Sequence, residues 1–180
     1  MRINGSRSFT LLLAASLGVG LCGCAVEQDD MLGRYRVEWT RVDSCGDSGL
    51  LASPTAMTFN IALRVASADA LHWIDRGETT TLMAMGDGSY QAQLSQVVDA
   101  RAGVEGAETL PECLIQRVDT LVAVPDEVRG QDDFETFSAD LRFDYDAAAG
   151  SSCQDLMTAG GFAVGLPCAV VYDGLGARIE

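Results

Sequence analysis

The chain has no lysine and a single histidine, His72, and each shortage removes a class of chemistry. Structural and catalytic zinc sites draw on clustered thiolates and imidazoles; one imidazole and no Cys-x-x-Cys pair do not supply them. Nucleophilic triads need a base beside a Ser or Cys. His72 lies between Leu71 and Trp73 in a strand-like stretch, on the opposite parity to that apolar pair, which is the place of a solvent-side residue. There is no Gly-x-Ser-x-Gly pattern. Gly160-Gly161 and Gly174-Leu175-Gly176 lack the lysine and strand–helix context of a phosphate loop and read as turns. With 12 arginines as the only bases against 26 acids, the formal charge is −14, a surface that repels nucleic acid and anionic headgroups.

The start of the chain carries the most specific signal. Arg2 and Arg7 precede an apolar stretch, residues 9–19, centred on Leu11-Leu12-Leu13. A basic segment before a short apolar one is the pattern of an export leader, and this one is too short for a permanent span. It ends in Leu21-Cys22-Gly23-Cys24. These residues resemble the lipobox of bacterial lipoproteins, with Leu three before the cysteine and a small residue directly before it. Cys24 meets both conditions; Cys22, with Val19 and Leu21 in those places, does not. The resemblance implies cleavage after Gly23, a thioether-linked diacylglycerol on Cys24 and a further acyl chain on the new amino group. Each buried CH₂ contributes about 0.8 kcal/mol, so two or three chains make a stable membrane anchor. Ala25 in place of Asp points, in that family, to the outer membrane of a Gram-negative cell envelope. The expected organisation is a removed leader over 1–23, a lipidated cysteine and short tether over 24–31, and one domain over 32–180. That length suffices for a single domain with its own core.

Four cysteines remain: Cys45, Cys113, Cys153 and Cys168. An even number in an exported chain reads as two disulfides. Three pairings exist. Cys153–Cys168 closes a short Gly-rich loop and is favoured, with Cys45–Cys113 following by elimination.

Within the domain the dominant pattern has period two. Met57, Phe59, Ile61, Leu63 and Val65 alternate with Thr58, Asn60, Ala62, Arg64 and Ala66, and Phe137, Ala139, Leu141, Phe143 and Tyr145 alternate with Ser138, Asp140, Arg142 and Asp144. Each run turns one face inward and one to water. Weaker alternation covers Tyr35 to Trp39 and Tyr90 to Val98; residues 71–75, 79–85, 113–124 and 168–172 are further strands. Arg76-Gly77-Glu78 and Gly86-Asp87-Gly88-Ser89 provide turns. Short helices are expected over 96–101 and 154–158. Met31, Met57, Met83, Met85 and Met157 are expected to help fill the core.

Eight or so one-sided strands must hide their apolar faces together. The fold class is therefore mostly β, a single antiparallel domain stapled by two disulfides, with a closed barrel preferred to a two-sheet sandwich. Gly33-Arg34-Tyr35, with Trp39 beyond it, and the late Arg178 resemble the first strand and terminal arginine of lipocalin-like barrels. That resemblance implies an interior able to hold a small apolar ligand, lined by Trp39, Phe59, Trp73, Tyr90, Phe137 and Phe143.

Acids are plentiful, and Asp140, Asp144 and Asp146 follow one another along one strand, with Asp132-Asp133 before it. The further oxygen ligands and glycine of a calcium loop are missing, so these read as a solvated face. No catalytic residue, metal or cofactor is expected. The leading expectation is a non-catalytic envelope lipoprotein, a protein-interaction or structural module anchored to the membrane; the second is a carrier of a small apolar ligand inside the barrel.

Overall fold

The computed structural model describes residues 31–46, 51, 53–101, 111–126, 134–154 and 165–179. Eight antiparallel strands form a closed barrel: β1 (Met31–Asp43), β2 (Ala56–Ser67), β3 (Ala70–Asp75), β4 (Glu78–Ala84), β5 (Tyr90–Asp99), β6 (Leu114–Pro125), β7 (Thr136–Ala147) and β8 (Cys168–Arg178). Each strand pairs with the next, and β8 returns to β1. Closure pairs the edges a sheet would otherwise present, except along most of the β4–β5 seam. The barrel, not the sandwich, is the solution this alternation adopts.

The inward parity of each strand follows from its apolar residues. On β1, Tyr35, Val37 and Trp39 are buried and the intervening Arg36, Glu38 and Thr40 are exposed. Cross-strand partners share a face, so Val37 aligns with Phe59 of β2 and Gly176 of β8, and Trp39 with Met57 and Gly174. An aromatic chain fills one end of the interior. Tyr35 and Phe137 meet edge to face with centroids 5.3 Å apart, Phe137 meets Trp73 at 5.7 Å, and Trp73 meets Trp39 at 6.3 Å. The Tyr35 hydroxyl, fully buried, donates to the Phe134 carbonyl at 2.7 Å, so the ring costs no orphaned donor. Tyr35 and Arg178 are cross-strand partners.

Four expectations are corrected. First, Gly174 and Gly176 are interior residues of β8, not a turn. A Cβ on Gly174 would lie 2.6 Å from Cε3 of Trp39, and one on Gly176 would overlap the Phe137 ring. The glycines are there because two large rings press on the backbone. Second, residues 96–99 continue β5, pairing Gln96 with Arg117 and Val98 with Ile115; the ladder with β6 overrides the local helical tendency. Of the second expected helix only Gln154 is described. Third, Met83 and Met85 are 53% and 44% exposed rather than core; Met157 lies outside the described residues.

Fourth, the disulfides are Cys45–Cys168 and Cys113–Cys153, with Cα–Cα distances of 5.3 and 4.9 Å. Barrel closure explains both pairings. Cys45 follows β1 and Cys168 opens β8, whose ends meet at Asp43 and Val171. Cys113 precedes β6 and Cys153 follows β7, whose ends meet at Ile115 and Ala147. Each bridge staples a pair of neighbouring strands at the same end of the barrel, which spacing along the chain does not reveal.

One seam departs from regularity. β4 and β5 pair only at Met83–Gln91 and Ala84–Tyr90, beside their connecting turn. That turn is well built: the Asp87 carboxylate accepts the Ser89 backbone N–H at 3.0 Å and its hydroxyl at 2.6 Å, and the Met85 N–H donates to the Ser89 carbonyl at 2.7 Å. These bonds, the hydroxyl's above all, hold the Asp87 carboxyl below its usual pKa. Beyond the turn the two strands part. β4 keeps its full ladder with β3 and β5 its full ladder with β6.

Candidate ligand cleft

The parted seam exposes the barrel's inner surface. Leu94 and Val98 lie on the inward face of β5, opposite Asp119 and Ile115, yet are 61% and 44% exposed because β4 does not cover them. A cavity of about 580 Å³ occupies this gap. Its sides are Thr79, Thr80, Thr81 and Met83 of β4 and Gln91, Ala92, Gln93 and Leu94 of β5, and its floor is Asp119, Leu121, Leu141 and Phe143. A second cavity of about 360 Å³ adjoins it, sharing Thr80, Leu121 and Leu141 as walls. Trp39, Phe59 and Trp73 line its apolar part; Asp75, Arg76, Glu78 and Thr80 complete the lining. Arg76 takes a positive φ of 50° before Gly77 at 88°, the two-residue turn of a tight hairpin. This places its guanidinium 4.8 Å from the centre of the Phe59 ring.

A third cavity of about 320 Å³ lies toward the disulfide-bearing end and is lined by Leu51, Val98, Ala100, Ile115, Arg117, Tyr145 and Asp99. Arg117 and Asp119 of β6 both face inward, aligned with Tyr145 and Phe143 of β7. Their pairing is bidentate, Nε to Oδ1 at 2.5 Å and Nη2 to Oδ2 at 2.7 Å. The guanidinium also sits 4.6 Å from the centre of the Phe143 ring. A charge pair that satisfies itself and stacks on aromatics leaves the cleft largely apolar while marking one polar spot in it.

The half-buried Tyr145 phenol has a raised pKa, chiefly because burial disfavours its anion, with Arg117 opposing. In the unfolded chain it returns to the ordinary value of 10.0. The native preference for the neutral phenol is therefore complete below that pH and is lost as pH rises through the higher native value. Tyr145→Phe should flatten the alkaline limb of a stability-versus-pH curve, measured by urea unfolding at successive pH values.

Trp39 holds the one buried side-chain polar atom without a partner among the described residues: its Nε1 donor, in a ring that forms part of the cavity wall.

The six residues expected to line a ligand site divide as follows. Trp39, Phe59 and Trp73 share one cavity and Phe143 the adjoining one. Tyr90 is half-buried beside the β4–β5 turn, and Phe137 is 1% exposed and packed between Tyr35 and Trp73. Cys24 lies outside the described residues. The sequence reading passed over Arg117 and Asp119. Their signal is a charged pair on the parity of Ile115, Leu121 and Ala123, masked because Leu114, Val118, Val122 and Val124 make the other parity equally apolar. His72 lies on the outer face, 3.3 Å from the Thr81 hydroxyl. Asp144 pairs with Arg142 at 2.6 Å on the outer face, and Asp140 and Asp146 are exposed there. Among the described residues no three His, Cys, Asp or Glu side chains converge as a metal site would require. No helix among them is long and apolar enough to cross a membrane.

No protein-family model matches the chain, and comparison with curated proteins and with solved structures gives no match.

Proposed function

We propose that this chain is a non-catalytic binding lipoprotein of the cell envelope, held at the outer membrane through acylated Cys24, whose barrel takes an apolar or amphiphilic ligand in the lateral cleft. The observation that carries this reading is the adjoining pair of cavities walled by Trp39, Phe59, Trp73, Leu121, Leu141 and Phe143. Their combined room is within the range of small-molecule sites, which are mostly apolar with a few placed polar groups. The Arg117–Asp119 pair is such a group. The partner reading keeps a place here, because the seam also presents unpaired strand edges.

The test uses the neutral apolar dye N-phenyl-1-naphthylamine with the mature, oxidised protein. Both tryptophans of the chain line one cavity, so bound dye should quench their emission and accept their energy in a saturable manner. Leu141→Trp, which fills the shared wall, should weaken dye binding by about tenfold or more while the far-ultraviolet dichroism stays that of a β protein. Dye that binds the variant as well as the parent would sink the cleft assignment. Mass spectrometry of protein extracted gently from its membrane checks the anchor: the mature chain should begin at an acylated Cys24, and an unlipidated species would refute it.

A further inference from the structure

We infer that the natural occupant of the cleft is an extended polypeptide segment with basic residues, added as a strand between β4 and β5. This deepens the binding reading above and rests on it.

Among the described residues, 78–82 of β4 pair with β3 alone and 92–99 of β5 with β6 alone. Two strand edges therefore face one another across the 580 Å³ cavity, each with backbone donors and acceptors that no strand satisfies. The open stretch of β4 is about five residues, roughly 17 Å at strand rise. A purely apolar ligand can lie on the floor of the cleft but leaves the strand edges unpaired, at a cost of about 1–3 kcal/mol for each backbone group it shuts off from water. An extended peptide pairs with those groups, and its alternate side chains would point into the cavity. The floor suits apolar residues there, with Leu121, Leu141 and Phe143 beneath the gap. The rims also carry unusually exposed apolar side chains: Met83 at 53%, Leu94 at 61% and Val97 at 62%.

Charge selects the partner. A second copy would bring the same large excess of acids to a surface that already carries it, 26 acids against 12 arginines over the full chain. Arg117 and Asp119 neutralise one another, and Asp75, Glu78 and Asp99 outnumber Arg76 among the remaining charged residues that line the cavities around the seam. The excess of acids over the whole chain favours a segment that carries arginine or lysine, and its association should weaken as salt rises.

The experiment titrates the mature, oxidised protein with a synthetic peptide alternating valine with arginine and threonine, long enough to span the open stretch. Controls are the same peptide N-methylated at every second residue, and the apolar dye alone. The parent peptide should change the tryptophan emission saturably and slow amide exchange in 78–82 and 92–96. N-methylation, which removes the donors along one of the peptide's two edges and keeps the side chains, should weaken binding by about tenfold or more. Equal binding of the methylated peptide, or binding of the dye but of neither peptide, would overturn the strand assignment and leave the binding reading standing. Binding of neither dye nor peptide would overturn both. A dimer in the absence of peptide, with 92–96 protected from exchange, would replace the partner by a second copy.

Discussion

Replacing Cys45 and Cys168 together with alanine should lower the stability of the folded chain by about 5 kcal/mol, against about 4 kcal/mol for Cys113 and Cys153. The two bridges close loops of very different size, with sequence separations of 123 and 40. In the chain-entropy description the larger loop restricts the unfolded ensemble more, though only logarithmically, which is why the expected difference is modest. Cys45–Cys168 has the greater structural consequence. It joins the ends of β1 and β8, the one neighbouring strand pair whose members come from opposite ends of the domain. Urea unfolding of the two double variants checks the order. A smaller loss for the Cys45–Cys168 pair would show that constraint of the unfolded chain is not what sets the size of these contributions.

Gly176→Ala should be the most damaging change of a single residue to the next larger one. The new methyl would coincide with the ring of Phe137, which is 1% exposed and held between Tyr35 and Trp73. Buried between two other rings, Phe137 has little room to yield, so an expected loss of about 3 kcal/mol sits at the upper end of typical overpacking. Gly174→Ala meets the Trp39 indole instead, and with it the wall of the cleft. It should therefore reduce dye binding as well as stability. A smaller side chain opposite should relieve the first change. Gly176→Ala with Phe137→Leu is expected to lose less than the sum of the two single variants, a coupling readable by thermal or urea unfolding. Strict additivity would mean that the close approach of ring and glycine does not limit packing there.

Both predictions rest on features that were poorly legible from the chain. Gly174 and Gly176 look like turn residues because glycine's usual meaning is local, whereas here it records the proximity of side chains from β1 and β7. Residues 96–99 suffered the reverse error: a weak local preference for helix gave way to a complete ladder with β6. The inward-facing Arg117 and Asp119 were hidden by the doubly apolar pattern of β6, and that pattern has no reason of its own to name a face. Trp39, Phe59, Trp73 and Phe143, by contrast, could be placed inward by parity alone, since alternation is a property of the strand.

What the sequence determined by itself follows from period and composition: strands with one wet and one dry face, two tight turns at Arg76-Gly77 and Gly86–Ser89, and four cysteines suited to two bridges. The tertiary structure decided what depends on which strands become neighbours. Closure of β8 onto β1 chose the disulfide partners, and the crowding of rings against β8 required its glycines. The parting of β4 from β5 opened the cleft. Alternation acts within a strand, whereas pairing, crowding and parting arise between strands that only closure brings together.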